Sequence, residues 1–271
     1  MPELAEVEFY RKQWLPLGGQ AVTGVRLHPR ARVFRGVQTA GLQAALLGQK
    51  ASASFVHGKQ MLFHFSAGGW LGLHLGMSGS LDWRPVPCHP GPHDHLVLET
   101  GQGAAVFHDP RMFGRVTWHP GTEPPAWWTV RPPGLLEPGF TPALLRQALQ
   151  RHPRAPLKAV LLRQEYFPGI GNWMADEILW RCALHPALPA GQALEAVPVL
   201  WKIVRQVARD ALRVIGTDWG QPPASWLFPH RWKDGGICPK TGAPLLRATI
   251  AGRTTCWSPS LQKLPRPARS R

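Results

Sequence analysis

His119-Pro120-Gly121-Thr122-Glu123-Pro124-Pro125-Ala126-Trp127-Trp128-Thr129-Val130-Arg131-Pro132-Pro133-Gly134-Leu135-Leu136-Glu137-Pro138-Gly139 divides this chain into two textures. Proline fixes φ and removes a backbone donor, so six prolines in one stretch read as a linker. Upstream the texture is β. Short apolar runs (Val22–Leu27, Ala51–Val56, Met61–Phe65, His95–Leu98, Ala104–Phe107, Arg115–Trp118) alternate with Gly, Pro and polar turns. Ahead of them Leu4, Val7, Tyr10, Trp14 and Leu17 recur at helical spacing, which predicts a helix over 4–17 packed on a β-sandwich or barrel. Downstream the period becomes 3.6. Thr141 and Pro142 open one helix, and others fit Leu157–Arg163, Trp173–Cys182 and Pro198–Ile215. A second break at Asp218–Pro223 precedes a short β segment reaching about Trp257, and Leu264–Arg271 reads as a basic, disordered tail. The fold class is therefore α+β, with sandwich before helices.

Composition narrows the partner. Lys plus Arg number 31 against 16 Asp plus Glu, a formal charge of +15 on 271 residues. A globular chain this basic points to a polyanion, most simply nucleic acid, with a general solubility bias as the bland alternative. Hydrophobic residues at 44% suffice for real cores. No apolar run approaches the roughly 18 residues a membrane span needs. Glu3, Glu6 and Glu8 argue against a secretory signal, and Cys88, Cys182, Cys238 and Cys256 are too few and scattered for a disulfide framework. The expectation is a soluble, intracellular (cytoplasmic or nucleoid) protein with no membrane partner.

Two segments carry chemistry. Met1-Pro2-Glu3-Leu4-Ala5-Glu6 places a small residue second, which favours removal of the initiator methionine and would free the secondary amine of Pro2. An α-amino group titrates near ~8, so part of it is unprotonated at neutral pH and able to attack an electrophilic carbon. Glu3 could supply or take a proton; alternatively, the glutamates merely suit a helix N-terminus. Gly169-Ile170-Gly171-Asn172 lies between two expected helices. Its glycines permit close backbone approach, the following helix start offers free N–H groups to a phosphate, and Asn172 could cap that helix. A plain helix-hairpin turn is the alternative.

Five runs share one order: Pro2–Glu8, His57-Gly58-Lys59, His74-Leu75-Gly76-Met77-Ser78-Gly79-Ser80-Leu81, Asp109-Pro110-Arg111-Met112-Phe113-Gly114-Arg115, and Gly169–Asn172 through Glu177. Together they resemble the formamidopyrimidine-DNA glycosylase / endonuclease VIII family of base-excision repair enzymes, over about residues 2–257. The resemblance implies an N-terminal catalytic β-sandwich (1–130), a helix–two-turn–helix domain (131–220) and a β-hairpin finger (221–263), with DNA bound in a cleft. It implies a DNA glycosylase with AP lyase activity, acting as a monomer on double-stranded DNA with damaged bases or abasic sites. Pro2 would attack C1′, Glu3 would protonate the sugar ring oxygen, Glu6 would shape the lesion pocket, and Lys59 would sit near the adjoining phosphate and shuttle protons. Strand cleavage by β- and δ-elimination would follow. Met77, Arg111 and Phe113 would fill the gap left by an extruded base. Lys158, Asn172 and Arg253 would contact the DNA, mostly its backbone. The plainer alternatives are a solvated strand lysine for Lys59, core packing for Met77 and Phe113, and a surface lysine for Lys158.

The chain departs from the family in three places. The finger usually binds zinc through two Cys-x-x-Cys pairs, but here Thr241, Ser258 and Leu261 replace three cysteines. Cys238 alone keeps its place, and Cys256 is out of register. Even with His230, four N/S ligands are not assembled, so a zincless finger without metal or other cofactor is expected, held by apolar residues such as Ile237, Leu245, Ile250 and Trp257. Thr217–Arg231 is shorter than the loop that caps 8-oxoguanine in family members, leaving lesion preference open. Arg163 stands where an acid is common. The competing readings are a non-catalytic binder of damaged or abasic DNA, and a general nucleic-acid scaffold with only a steep salt dependence.

Overall fold

The computed structural model describes residues 1–264. The stretch 265–271, most of the expected basic tail, lies outside the described residues. The chain divides into two compact units between Arg131 and Pro132.

The first unit is an antiparallel β-sandwich with a helix against it. Its strands are β1 (Gly24–Leu27), β2 (Ala51–His57), β3 (Gln60–Phe65), β4 (Trp70–His74), β5 (Ser80–Arg84), β6 (Asp94–Glu99), β7 (Ala104–His108) and β8 (Arg115–His119). They form sheets ordered β1-β6-β7-β5 and β2-β3-β4-β8. One core joins them: Phe63, Leu71 and Leu73 from one sheet pack with Leu81, Leu96, Leu98 and Phe107 from the other. Helix α1 (Leu4–Gln13) contributes Val7, and Trp14 just beyond it is buried, its ring 5.2 Å from Phe63 and its Nε1 donating to Val106 O. The helix expected over 4–17 stops at Gln13 and Leu15–Leu17 continues as a 3₁₀ turn, because Pro16 has no N–H for the ladder.

The outer face of the second sheet is also covered. Leu62 and Trp70 are buried there against Trp128, from a helical turn α3 (Ala126–Thr129; α2, Thr39–Leu46, packs on β1). The stretch expected to be only a linker thus docks part of itself on the sheet. Strands β4 and β5 went unrecognised in the sequence; in β4 both faces are buried, which removes alternation, and Gly72 interrupts the apolar run.

In the second unit, α4 (Pro142–Arg151) is capped by Thr141, whose Oγ1 accepts from Leu144 N at 3.3 Å. Helices α5 (Leu157–Leu161), α6 (Asn172–Arg181) and α7 (Val197–Asp218) follow. Helix α6 is buried nearly all round, from Trp173 to Trp180, as befits the centre of a helical unit. After the helices comes a hairpin of β9 (Leu246–Ile250) and β10 (Arg253–Trp257), with Arg253 opposite Ile250. Ala251 and Gly252 both have positive φ (50° and 72°), the conformation of a tight hairpin turn that matches strand twist. Among the described residues, no helix is long and apolar enough to cross a membrane.

Candidate functional site

The N-terminal carboxylates are tied into the start of α1. Glu3 is its N-cap and is buried; its side chain accepts from the Glu6 backbone N–H, while Glu6 Oε2 accepts from Glu3 N at 3.2 Å. This reciprocal capping box satisfies two orphan donors and fixes both carboxylates at the positive end of the helix. The helix-opening role and the proposed proton-transfer role are therefore compatible in one geometry. Pro2 immediately precedes this box. Lys59 lies in the two-residue turn between His57 and Gln60, and is buried. Gln60 pairs with His74, which brings Lys59 near His74: burial and then the Lys59 ammonium hold the His74 imidazole below its ordinary range. His74 Nδ1 accepts from Gly76 N at 3.0 Å, anchoring the start of the next loop.

Met77, Arg111 and Phe113 come from two loops that touch. Asp109, fully buried, is the shared anchor: it accepts from Ser78 Oγ at 2.7 Å, Arg111 N at 3.2 Å and Gly114 N at 2.7 Å. Its own carbonyl is taken by His95 Nε2 at 2.8 Å. A Cβ on Gly76 would stand 2.4 Å from the carbonyl carbon of Phe113, so the two backbones approach as closely as glycine allows. Met77 and Phe113 are 40% and 51% exposed, which removes core packing as their role. The Arg111 guanidinium lies 4.8 Å from the Phe113 ring centroid, a cation–π stack at the loop tip. Sequence reading quoted Asp109 within a motif without assigning it this role.

In the second unit, three expected DNA contacts converge on the hairpin. Arg253 is exposed and follows the turn. Asn172 is the first residue of α6 and does not cap it; Gly171 does, and Asn172 Nδ2 donates to Thr254 O at 2.8 Å. Lys158 requires a correction. It is wholly buried, its Nζ 2.7 Å from Asp176 Oδ1 and donating to Thr255 Oγ1 at 2.8 Å and Thr254 O at 3.2 Å. A buried ammonium must be paired inside, so Lys158 is neither a surface lysine nor placed for direct backbone contact. Asp176 also accepts from Arg231 Nη2 at 2.6 Å and from Cys256 N at 3.0 Å. Sequence reading gave Asp176 and Arg231 no role; the available signal was an acid inside the apolar run Trp173–Trp180. Arg163 forms an exposed pair with Glu165 at 2.9 Å, which contributes little to stability.

The finger's donor set does not fit zinc. Cys238 is buried and its Sγ accepts from Trp180 Nε1 at 3.4 Å. Burial pushes its thiol up, but hydrogen bonds from Thr241, Ser258, Trp180 and the Lys240 backbone outweigh that and bring it down to about 7. Thr241 and Ser258 each hydrogen-bond Ser260, at 3.1 and 3.0 Å, closing a hydroxyl cluster. Hydroxyls and a leucine are poor partners for a structural zinc, and the described residues hold no trio of His, Cys, Asp or Glu able to bind a metal. The apolar contacts expected for the hairpin also need correction. Ile237 is 48% exposed, and the core is Trp180, Leu227, Cys238, Leu245 and Cys256, with Leu261 against it. Cys256, out of register for metal binding, serves as a buried apolar residue. Trp257 packs on His185, ring centroids 5.4 Å apart.

A sandwich opened by a proline-led capped helix, followed by a glycine-turn helical unit and a hairpin, defines a two-unit class of fold. The profile of the formamidopyrimidine-DNA glycosylase N-terminal domain matches residues 1–116, and that of its H2TH domain matches residues 133–220. The chain belongs to the formamidopyrimidine-DNA glycosylase family. The protein of that name from Alkalilimnicola ehrlichii is 35% identical over 284 residues, covering 97% of this chain and 100% of the relative. That from Xanthomonas axonopodis pv. citri is 34% identical over 275 residues, with the same coverage of 97% and 100%. The crystal structure of Lactococcus lactis Fpg with DNA containing an abasic site shares the fold. Its TM-score is 0.86 at 24% identity, covering 96% of this chain and 99% of that one.

Proposed function

We propose that this protein is a bifunctional DNA glycosylase and AP lyase that excises oxidised bases from double-stranded DNA, acting as a monomer inside the cell. The observation that carries the reading is the Pro2-Glu3 start, held in a capping box, in a chain aligned end to end with proteins named formamidopyrimidine-DNA glycosylase.

Removal of Met1 frees the Pro2 nitrogen. Its lone pair forms a bond to C1′ as the glycosidic bond breaks, the base leaves with the pair of that broken bond and takes up a proton, and the Pro2 nitrogen loses its own proton. Glu3 protonates the ring oxygen, the sugar opens, and the product is an iminium between Pro2 and C1′. The iminium acidifies the C2′ proton. Its removal expels the 3′ phosphate, a second elimination expels the 5′ phosphate, and water returns the amine. Glu6, which holds the Glu3 backbone, shapes the pocket, and Lys59 shuttles protons beside the phosphate. Met77, Arg111 and Phe113 occupy the space the extruded base leaves, offsetting an unstacking cost of a few kcal/mol. Arg253 and the Asn172 end of α6 meet the DNA backbone. None of these steps draws on a metal or cofactor.

Borohydride trapping on an abasic-site duplex tests the reading. The wild type is expected to give a covalent adduct, and Pro2→Gly to lose it. Glu3→Gln keeps an acceptor for the capping box and so separates proton transfer from folding; it is expected to lose most excision. An untrappable wild type that binds abasic DNA tightly would instead identify a non-catalytic binder. A panel of 8-oxoguanine, formamidopyrimidine, hydantoin and oxidised-pyrimidine duplexes assigns the lesion.

A further inference from the structure

Strand β10 pairs with β9 on one side only, so its other edge presents unpaired backbone groups. On that edge Thr254 C=O and Cys256 N–H alternate as ladder groups do, and both are satisfied by side chains from the helical elements. Thr254 O accepts from Asn172 Nδ2 at 2.8 Å and Lys158 Nζ at 3.2 Å. Cys256 N donates to Asp176 Oδ2 at 3.0 Å. Lys158 also grips the Thr255 hydroxyl at 2.8 Å. Helices α5 and α6 thus act as a third strand made of side chains, and Asp176 is its keystone. One carboxylate receives Lys158 at 2.7 Å, Arg231 at 2.6 Å and the strand itself. All three charged side chains are at most 4% exposed. In the low dielectric of such a site, geometry is strongly specified, since moving any partner strands a charge. The residue directly before this clamped segment is Arg253.

We propose that Asp176, held in place by Arg231 and gripping the strand both directly and through Lys158, is a positioning residue that sets the orientation of Arg253 toward DNA. This rests on the Arg253 contact in the function proposed above. Lys158 thereby acts on DNA binding from inside the protein. The clamp grips β10 at Thr254, Thr255 and Cys256, and Cys256 also packs in the core that holds Cys238.

The test is equilibrium binding of the full chain to a duplex carrying a tetrahydrofuran abasic analogue, below the melting temperature of every variant. Asp176→Asn breaks the carboxylate's charge, and Thr255→Val removes, at nearly constant shape, one Lys158 bond together with the bond from Thr255 Oγ1 to Arg253 O at 2.9 Å, so the milder variant serves if the first fails to fold. Arg253→Ala is expected to weaken binding by about tenfold or more. Asp176→Asn is expected to approach that loss, and Thr255→Val to lose a few-fold. Combined with Arg253→Ala, neither should add further loss. Arg231→Lys should retain more affinity than Arg231→Met. A purely structural role would lower the melting temperature without coupling to Arg253. Wild-type affinity in folded Thr255→Val and Asp176→Asn, or losses that multiply with that of Arg253→Ala, would overturn the proposal. If Arg253→Ala itself binds as the wild type, the Arg253 contact falls and this inference with it, while Pro2 trapping still stands or fails separately.

Discussion

Gly76→Ala is the sharpest probe of the paired loops that carry Met77 and Phe113. Gly76 has φ +62°, a conformation that costs an alanine about 1 kcal/mol. Its Cβ would stand 2.4 Å from Phe113 C, 2.5 Å from Gly114 N and 2.6 Å from Phe113 O. These are backbone atoms, so no rotamer change relieves the clash. One loop must move away from the other, and overpacking of this kind costs about 1–3 kcal/mol. The sum, about 2–4 kcal/mol, corresponds to a melting temperature lower by roughly 6–15 °C for a unit of this size. The displaced groups are the backbones next to Met77 and Phe113, so excision from a lesion duplex should fall more than affinity for undamaged DNA. Gly101→Ala is the control: its Cβ meets nothing within 4 Å, and little change is expected. The measurements are urea unfolding and single-turnover excision on all three proteins. A Gly76→Ala protein within about 0.5 kcal/mol of the wild type, the span of ordinary surface substitutions, with unchanged excision would refute the close approach of the two loops.

Gly41 lies within helix α2 with open space around its Cβ position, so Gly41→Ala should stabilise the protein by about 0.5–1 kcal/mol in urea unfolding. Burial holds His74 and His95 below the ordinary histidine range, helped at His74 by the Lys59 ammonium and opposed at His95 by its bond to the Asp109 carbonyl. Both are therefore neutral in the folded state when the unfolded chain begins to take up protons. Their stabilisation is complete above about pH 6.5 and is lost as the pH falls below it, by up to about 1.4 kcal/mol per pH unit for each. Urea unfolding between pH 7.5 and 5 should show this slope, and a profile flat over that range would count against it. Elemental analysis should find well under one zinc per chain, and EDTA should leave the melting temperature unchanged; a stoichiometric metal would overturn the donor-set argument at Cys238.

Most of the sandwich was readable as short apolar runs between turns, with β5 (Ser80–Arg84) an exception. Runs such as Ala104–Phe107 declared themselves, as did Thr141-Pro142 at the head of α4, because local chemistry there agrees with the tertiary result. Strand β4 did not. Trp70, Leu71 and Leu73 are buried, and Gly72 leaves room for Thr117 and Trp127, so the strand carries neither alternation nor a polar face. Helix α2 has one short apolar pair, Leu42 and Leu46, and a glycine that weakens the signal. The hairpin's support was misjudged at Ile237 because hydrophobicity marks what can be buried, not what is; two cysteines fill that core instead.

The site shows a different division. The residues expected to face DNA are exposed: Met77 and Phe113 at 40% and 51%, and Arg253 at the open start of its strand, and the family resemblance assigned them void-filling and DNA contact. The groups that hold them were not legible, because each works by pairing with a residue distant in sequence. Asp109 reads as an acid before a proline until Ser78 is seen donating to it from 31 residues away. Asp176 is 55 residues from Arg231 and 80 from Cys256. Lys158 was misplaced for the same reason: its sequence neighbourhood is an ordinary amphipathic helix, and only a carboxylate on the next helix makes burial tolerable. In both units a buried aspartate gathers backbone N–H groups of a segment proposed to face DNA, two in the Arg111 loop and one in the Arg253 strand. A carboxylate that accepts several donors in a low-dielectric site is strong and directional. The exposed side chains proposed to meet DNA thus stand on backbone held by buried charge, and the apolar core supplies the volume around it.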